Sequence, residues 1–155
     1  MGENANEVFF SFIASDQAFY EQIRQHLAPL RRLGKIVIWS LLDAQNEAEM
    51  RQHLESARII AVLISSAYLD SDYHYDVVLM RALERHRVGK AILLPILARR
   101  CHYERLPFAS MQMLPPNGTP LSTLAEEPRD QACYEIARAI DMIIKHISRR
   151  NPPAP

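Results

Sequence analysis

The sequence predicts a single α/β domain built on a parallel, doubly wound sheet with helices on both faces. Three observations predict it. Short β-branched or aromatic runs alternate with amphipathic stretches of helical period. Two of those runs, 59–64 and 91–97, are apolar at almost every position, as strands covered on both faces are. The 155 residues, 48% hydrophobic and 23% charged, suffice for one sizeable core and are too few for two ordinary domains.

The elements run in order along the chain. Val8, Phe9, Phe10, Ser11 and Phe12 suit a first strand, and Ser15 and Asp16 signal a helix start. Phe19, Ile23, Leu27 and Leu30 then recur at helical spacing until Gly34 ends the pattern. Residues 35–39, ending in Trp39, form a second strand, and 41–46 a loop. Met50, Leu54 and Ala57 mark one face of a short helix before the third strand at 59–64. A polar loop comes after Ser65, then a helix over about 72–86 presents Val78, Leu79, Ala82 and Leu83 to the sheet and closes at Gly89. Residues 91–97 give a fourth strand, whose Pro95 suits a strand end or an edge. Residues 99–129 hold most of the prolines and read as a long irregular connection, with a short fifth strand near 111–114. Ile136, Ile140, Ile143, Ile144 and Ile147 define a final amphipathic helix, and 151–155 cannot continue it. The expected division is a tail over 1–7, a domain over 8–148 and a Pro-rich linker or tail over 149–155.

Strand–helix alternation implies right-handed crossovers and, with four or five strands, the flavodoxin-like order 2-1-3-4-5. In such sheets a ligand crevice opens at the carboxyl ends of the strands where the order reverses, here between the first and third. Residues 12–16 and 65–76 would line it.

Eighteen basic residues balance eighteen acidic ones, so no net field draws the chain to nucleic acid or to an anionic membrane. The N-terminus has neither a basic nor an apolar targeting segment, and no run is long enough to span a bilayer, so the expected location is the cytoplasm. Cys101 and Cys133 are too few for a disulfide framework or a zinc site, and both are expected as reduced thiols. Arg99, Arg100, His102 and Arg105 form a basic patch after the fourth strand.

The run from Val8 to Asp16 resembles the first box of Toll/interleukin receptor (TIR) domains, particularly the bacterial type. Ile36, Val37, Ile38 and Trp39 resemble the strand leading into that family's mobile BB loop, and the segment from Leu63 to Tyr73 is similar to its third strand and the motif after it. The resemblance spans about residues 7–147. It implies either of two functions, NAD+ cleavage between nicotinamide and ribose or self-associating signalling, with no further cofactor or metal required. NAD+ as substrate or ligand would lie against Phe12, Ile13, Ser15, Asp16, Trp39, Asp43, Ser65 and Tyr73. At Trp39 an indole stacked on a base and a packing residue at the sheet's rim are both open, and Ser65 either bonds a ribose or phosphate or makes a turn.

Cleavage builds positive charge on the ribose, which a carboxylate stabilises. The family supplies a glutamate on the helix after the third strand. Counting forward from Tyr73 puts that position at Val77, and counting back from Leu79, Ala82 and Leu83 puts it at Val78. Neither valine carries charge. Asp76 is the nearest acid, a surrogate or simply a first-turn residue favourable to the helix dipole. The BB-loop segment, from Asp43 to Glu47, is also about four residues shorter than in bacterial TIR domains. A phosphoacceptor receiver domain, which shares this topology, is excluded because Ser65 stands where an aspartate is needed.

The resulting expectation is a TIR signalling or effector module that acts by homotypic self-association in prokaryotic defence or signalling, with a further domain after the linker. The alternative is an active NAD+ glycohydrolase using Asp76 or an acid from a neighbouring subunit.

Overall fold

A computed structural model describes residues 5–150, with side chains described through Ser148. Four strands, β1 (Asn6–Ser11), β2 (Ile36–Ser40), β3 (Ile59–Ile64) and β4 (Ile92–Leu97), form one all-parallel sheet in the order β2-β1-β3-β4. This is the flavodoxin-like arrangement. β1 begins two residues before the expected Val8, because the Asn6 N–H bonds the Lys35 carbonyl (3.0 Å) and extends the pairing with β2. Residues 1–4 and 151–155, where most of the expected tails fall, lie outside the described residues.

Strand alternation sorts side chains to two faces. Val8, Phe10, Ile59, Ala61 and Leu63 join one core, covered by α1 (Gln17–His26) and α6 (Glu126–Arg150). Phe9, Ile60, Val62 and Ile64 join the other, covered by α3 (Glu47–Ser56) and α5 (Met80–Arg87). All six residues of β3 are fully buried, and each of its large apolar side chains stabilises the fold by about 2 kcal/mol. That burial is what the unbroken apolar run demanded.

Four elements depart from expectation. The first amphipathic stretch divides into α1 and a short α2 (Ala28–Arg32), because Pro29 has no N–H to give to a continuous helix and instead occupies the first turn of a new one. The expected loop after Ser65 contains a helical turn, α4 (Ser66–Asp70), whose start is capped by the Ser65 hydroxyl accepting from the Tyr68 N–H (3.0 Å). The expected helix over 72–86 opens instead as a π-helical segment, Tyr73–Leu79, before α5 continues it. The short fifth strand reduces to a single parallel bridge, Leu114 against Ile96, with the Leu97 N–H bonded to the Leu114 carbonyl (2.7 Å). Pro115 and Pro116 come next and offer no donors to extend the pairing.

Arg85 joins the layers. It is 5% exposed, and its guanidinium donates to the carbonyls of Leu54 (2.8 Å) and Ala57 (2.7 Å) at the end of α3 and to that of Lys90 (3.2 Å). Those carbonyls would otherwise lack partners where the helix ends. Both cysteines are free, Cys133 buried and Cys101 partly so, and burial raises both thiol pKa values, to about 11 for Cys133.

Candidate functional site

The parallel order reverses at β1, and a cleft lies at the carboxyl end of β1, bordered by the start of the loop after β2, by α3 and by the segment 73–78. Of the expected lining stretches 12–16 and 65–76 only Tyr73 and His74 reach it, and no residue of β3 does. Its inner part is narrow, with a volume of about 10 Å³, about one water-sized sphere. Phe9, Phe10, Met50 and Val78 supply apolar walls, while Leu41 and Tyr73 stand at its mouth and also border a wider, open chamber of about 290 Å³ beside 44–47. The inner part is almost entirely apolar in character. Besides Tyr73 at the mouth, its polar side chains are already engaged, Ser11 Oγ with the Tyr68 hydroxyl (2.7 Å) and His74 Nδ1 with Ser71 Oγ (2.8 Å). Burial pushes the Tyr68 phenol far up, against the opposing effect of the Ser11 bond, so it remains a neutral hydrogen-bonding group. Desolvation lowers the His74 pKa, opposed in part by a hydrogen bond with the Phe12 backbone, so this imidazole favours the neutral form.

The π-helical segment decides which valine faces the cleft. An i→i+5 pattern adds a residue to the turn and rotates the later residues relative to an α-helix, a device often found at functional sites. Val78 is 2% exposed and lines the cleft, Val77 is half-buried against the neighbouring core, and Asp76 is exposed and makes no hydrogen bond among the described residues. Of the two valines reached by counting, Val78 is the one that lines the cleft. No acidic side chain lines the inner cleft among the described residues.

Of the residues expected to touch NAD+, Tyr73 alone lines both parts of the cleft. Burial raises its phenol pKa, and the nearby Glu47 carboxylate raises it further. Phe12 turns to the other face of the sheet, its ring stacked on Tyr20 with centroids 4.6 Å apart, because alternation along β1 sends it toward α1. Trp39 is 7% exposed; His53 of α3 stacks on it at 4.3 Å and Phe9 packs beside it at 5.1 Å, so its faces are covered by the protein. Asp16 is fully buried, with Oδ1 accepting from Arg99 Nε (2.6 Å) and Oδ2 without a partner among the described residues. The Arg99 guanidinium also lies over the Phe19 ring (5.4 Å), so the first residue of the expected basic patch, though its side chain is exposed, is tied to the buried Asp16. Asp43 closes a capping box, its Oδ2 accepting from the Ser40 N–H (2.9 Å), and Ser65 caps α4. Ile13 is half-buried against the core on the α3 side, and Ser15 is exposed.

Two groups escaped the sequence reading. Glu47, the first residue of α3, lines the outer chamber, where its Oε1 accepts from Arg51 Nη2 (2.9 Å) one turn on. His53 Nδ1 bonds Glu7 Oε1, and Ser56 Oγ donates to Glu7 Oε2 (2.6 Å), fastening α3 to β1. An acid at the first position of a helix is too common to mark a site from sequence, and the Glu7 contacts join residues far apart in the chain.

No helix among the described residues is long and apolar enough to cross a membrane, and no cluster of metal-ligating side chains occurs among them.

Comparisons with known proteins give one family. A model described as TIR domain matches residues 8–123. A curated protein of Sinorhizobium fredii, "Uncharacterized protein y4lF", is 31% identical over 153 residues, which is 95% of this chain and 47% of that protein. The chain thus spans about half the length of this relative. Among solved structures, TIR domains in the activated Roq1 resistosome directly recognizing the pathogen effector XopQ align with a TM-score of 0.49 and 15% identity, over 86% of this chain and 84% of that one.

Proposed function

The chain belongs to the TIR domain family, and on that premise we propose that it is a signalling or effector module acting by association with further TIR domains, with NAD+ cleavage weak or absent. The observation that carries this reading is Val78 in the wall of the inner cleft, where a ribosyl cation would need a negative charge. In a water-excluded site one well-placed electrostatic group is worth on the order of a hundredfold or more in rate, so its absence leaves binding without efficient chemistry. The relative's source supports a bacterial setting, and its greater length supports a further region joined to the domain.

The surface for association is the edge strand β2 and the loop that leaves it. Val37, Leu41 and Leu42 are 50%, 40% and 55% exposed there. A second copy is the occupant that fits, because the corresponding loop contacts the next subunit in TIR assemblies and a net charge of zero puts no long-range repulsion between copies. Light scattering over a concentration series tests this. The mass should rise with concentration, and Leu41→Asp with Leu42→Asp should abolish the rise; a strict monomer at high concentration would sink the reading.

Glu47 supports the second reading, NAD+ cleavage, since it is the acid that borders the outer chamber. Its pairing with Arg51 weighs against it. Nicotinamide release from concentrated, associated protein separates the two: brisk release lost in Glu47→Gln or in Asp76→Ala would make the chain an enzyme.

A further inference from the structure

We propose that the chain carries a second binding site, an anion pocket at the amino-terminal ends of β3 and β4, that takes a ligand bearing two phosphoryl groups. It lies at the opposite end of the sheet from the cleft and does not depend on how the cleft functions. The cavity has a volume of about 400 Å³, within the range of small-molecule sites and far larger than one phosphate requires.

Four residues that carry donor groups line it: Arg58 just before β3, His86 in the last turn of α5, Lys90 just before β4 and His146 of α6. No acidic residue lines it among the described residues. Among those residues the Arg58 guanidinium and the Lys90 ammonium take part in no ion pair or side-chain hydrogen bond. The Leu93 N–H donates to His86 Nδ1 (3.1 Å), which places the ring hydrogen on Nε2 and makes that atom a donor. Glu55, an acid close enough to act on Lys90, has its carboxylate held by Arg81, with Oε2 2.5 Å from Nε.

Cations near helix C-termini often serve only to offset the helix dipole. Here that task is already filled. The terminal carbonyls of α5 accept from the backbone N–H groups of Val88, Gly89 and Lys90, and Arg85 serves the end of α3. Arg58 follows the C-cap Ala57 of α3, an end whose carbonyls Arg85 already serves. The Arg58 and Lys90 cations that line the cavity are therefore surplus to the fold, and a polyphosphate supplies the acceptor oxygens they lack.

Calorimetric titration of the chain with inorganic pyrophosphate at low ionic strength tests the site. Saturable one-to-one binding is expected, weakened about tenfold by either Arg58→Gln or Lys90→Gln and unchanged by Arg100→Gln at the other end of β4. Amide shifts on titration should centre on Gly89, Lys90 and Ile92. Lys90 is exposed, so its variant tests the site even if Arg58→Gln impairs folding. Absence of saturable binding, equal weakening by Arg100→Gln, or shifts centred elsewhere would overturn the proposal. Equal affinity for inorganic phosphate would overturn its assignment to two phosphoryl groups.

Discussion

Placing a carboxylate in the inner cleft by Val78→Glu, with Val78→Gln as its uncharged counterpart, tests whether the cleft is as dry as its lining suggests. Val78 is 2% exposed, the space before it amounts to about 10 Å³, and the nearby Ser11 and His74 side chains already have partners. Both substitutions lose the same packing and add nearly the same volume, so their difference isolates the charge. A carboxylate confined there, with the Tyr73 phenol at the mouth its nearest free donor, should have a folded-state pKa about two units above its unfolded value of about 4.3. Each unit corresponds to about 1.4 kcal/mol, so Val78→Glu should be less stable than Val78→Gln by about 2.7 kcal/mol at about pH 8. The sign is that of a raised folded pKa: the penalty is absent below the unfolded value, grows as pH rises and levels off above the folded value. At about pH 5 less than half of it should remain. Urea denaturation of the two variants across this range supplies the measurement. A difference near zero at every pH would mean that the cleft solvates a carboxylate readily, and the account of it as an apolar, charge-free site would fail. Nicotinamide release from the same Val78→Glu protein shows whether charge alone was lacking.

Arg85→Met removes three charge-assisted bonds and strands the carbonyls at the end of α3, so stability should fall by about 3 kcal/mol, with a thermal midpoint lower by about 10 °C. Retention of the wild-type midpoint would show that those carbonyls find water instead. His74, whose pKa is lowered by desolvation, should titrate below the ordinary histidine value in NMR spectra. Because the fold favours its neutral form, the stability it contributes is present above the unfolded pKa and lost as pH falls through the folded one, and His74→Gln should remove that acid-side loss. Asp76→Ala, at an exposed position with no hydrogen bond among the described residues, should change stability by less than about 0.5 kcal/mol and leave nicotinamide release unaltered. A loss of release would reinstate Asp76 as a reacting group.

The strands were legible because burial on two faces leaves an unmistakable mark on composition: 59–64 and 91–97 could hardly be anything else. The break at Pro29 was written in the chain as well, since a missing N–H acts locally, yet the continuous apolar spacing on either side concealed it. The helical turn after Ser65 was less visible, because serine signals a cap and a turn alike until the Tyr68 N–H is seen to donate to it. At the site the limits were sharper. Trp39 left stacking and packing open, and only the position of His53 from another element shows that its face is covered.

The layered α/β architecture and the pair of valines at 77 and 78 were determined by the sequence alone, since both rest on residue type and short-range period. Tertiary structure alone decided which of the two faces the cleft. Sequence counting assumes a constant helical turn, and the π-helical segment at Tyr73–Leu79 breaks that assumption. It also decided that Asp16, Trp39 and Phe12 serve the fold from within, and that Arg58 and Lys90 meet His86 and His146 around one cavity. Contacts between residues distant along the chain are set by how layers pack, and nothing in the local order of residues encodes them.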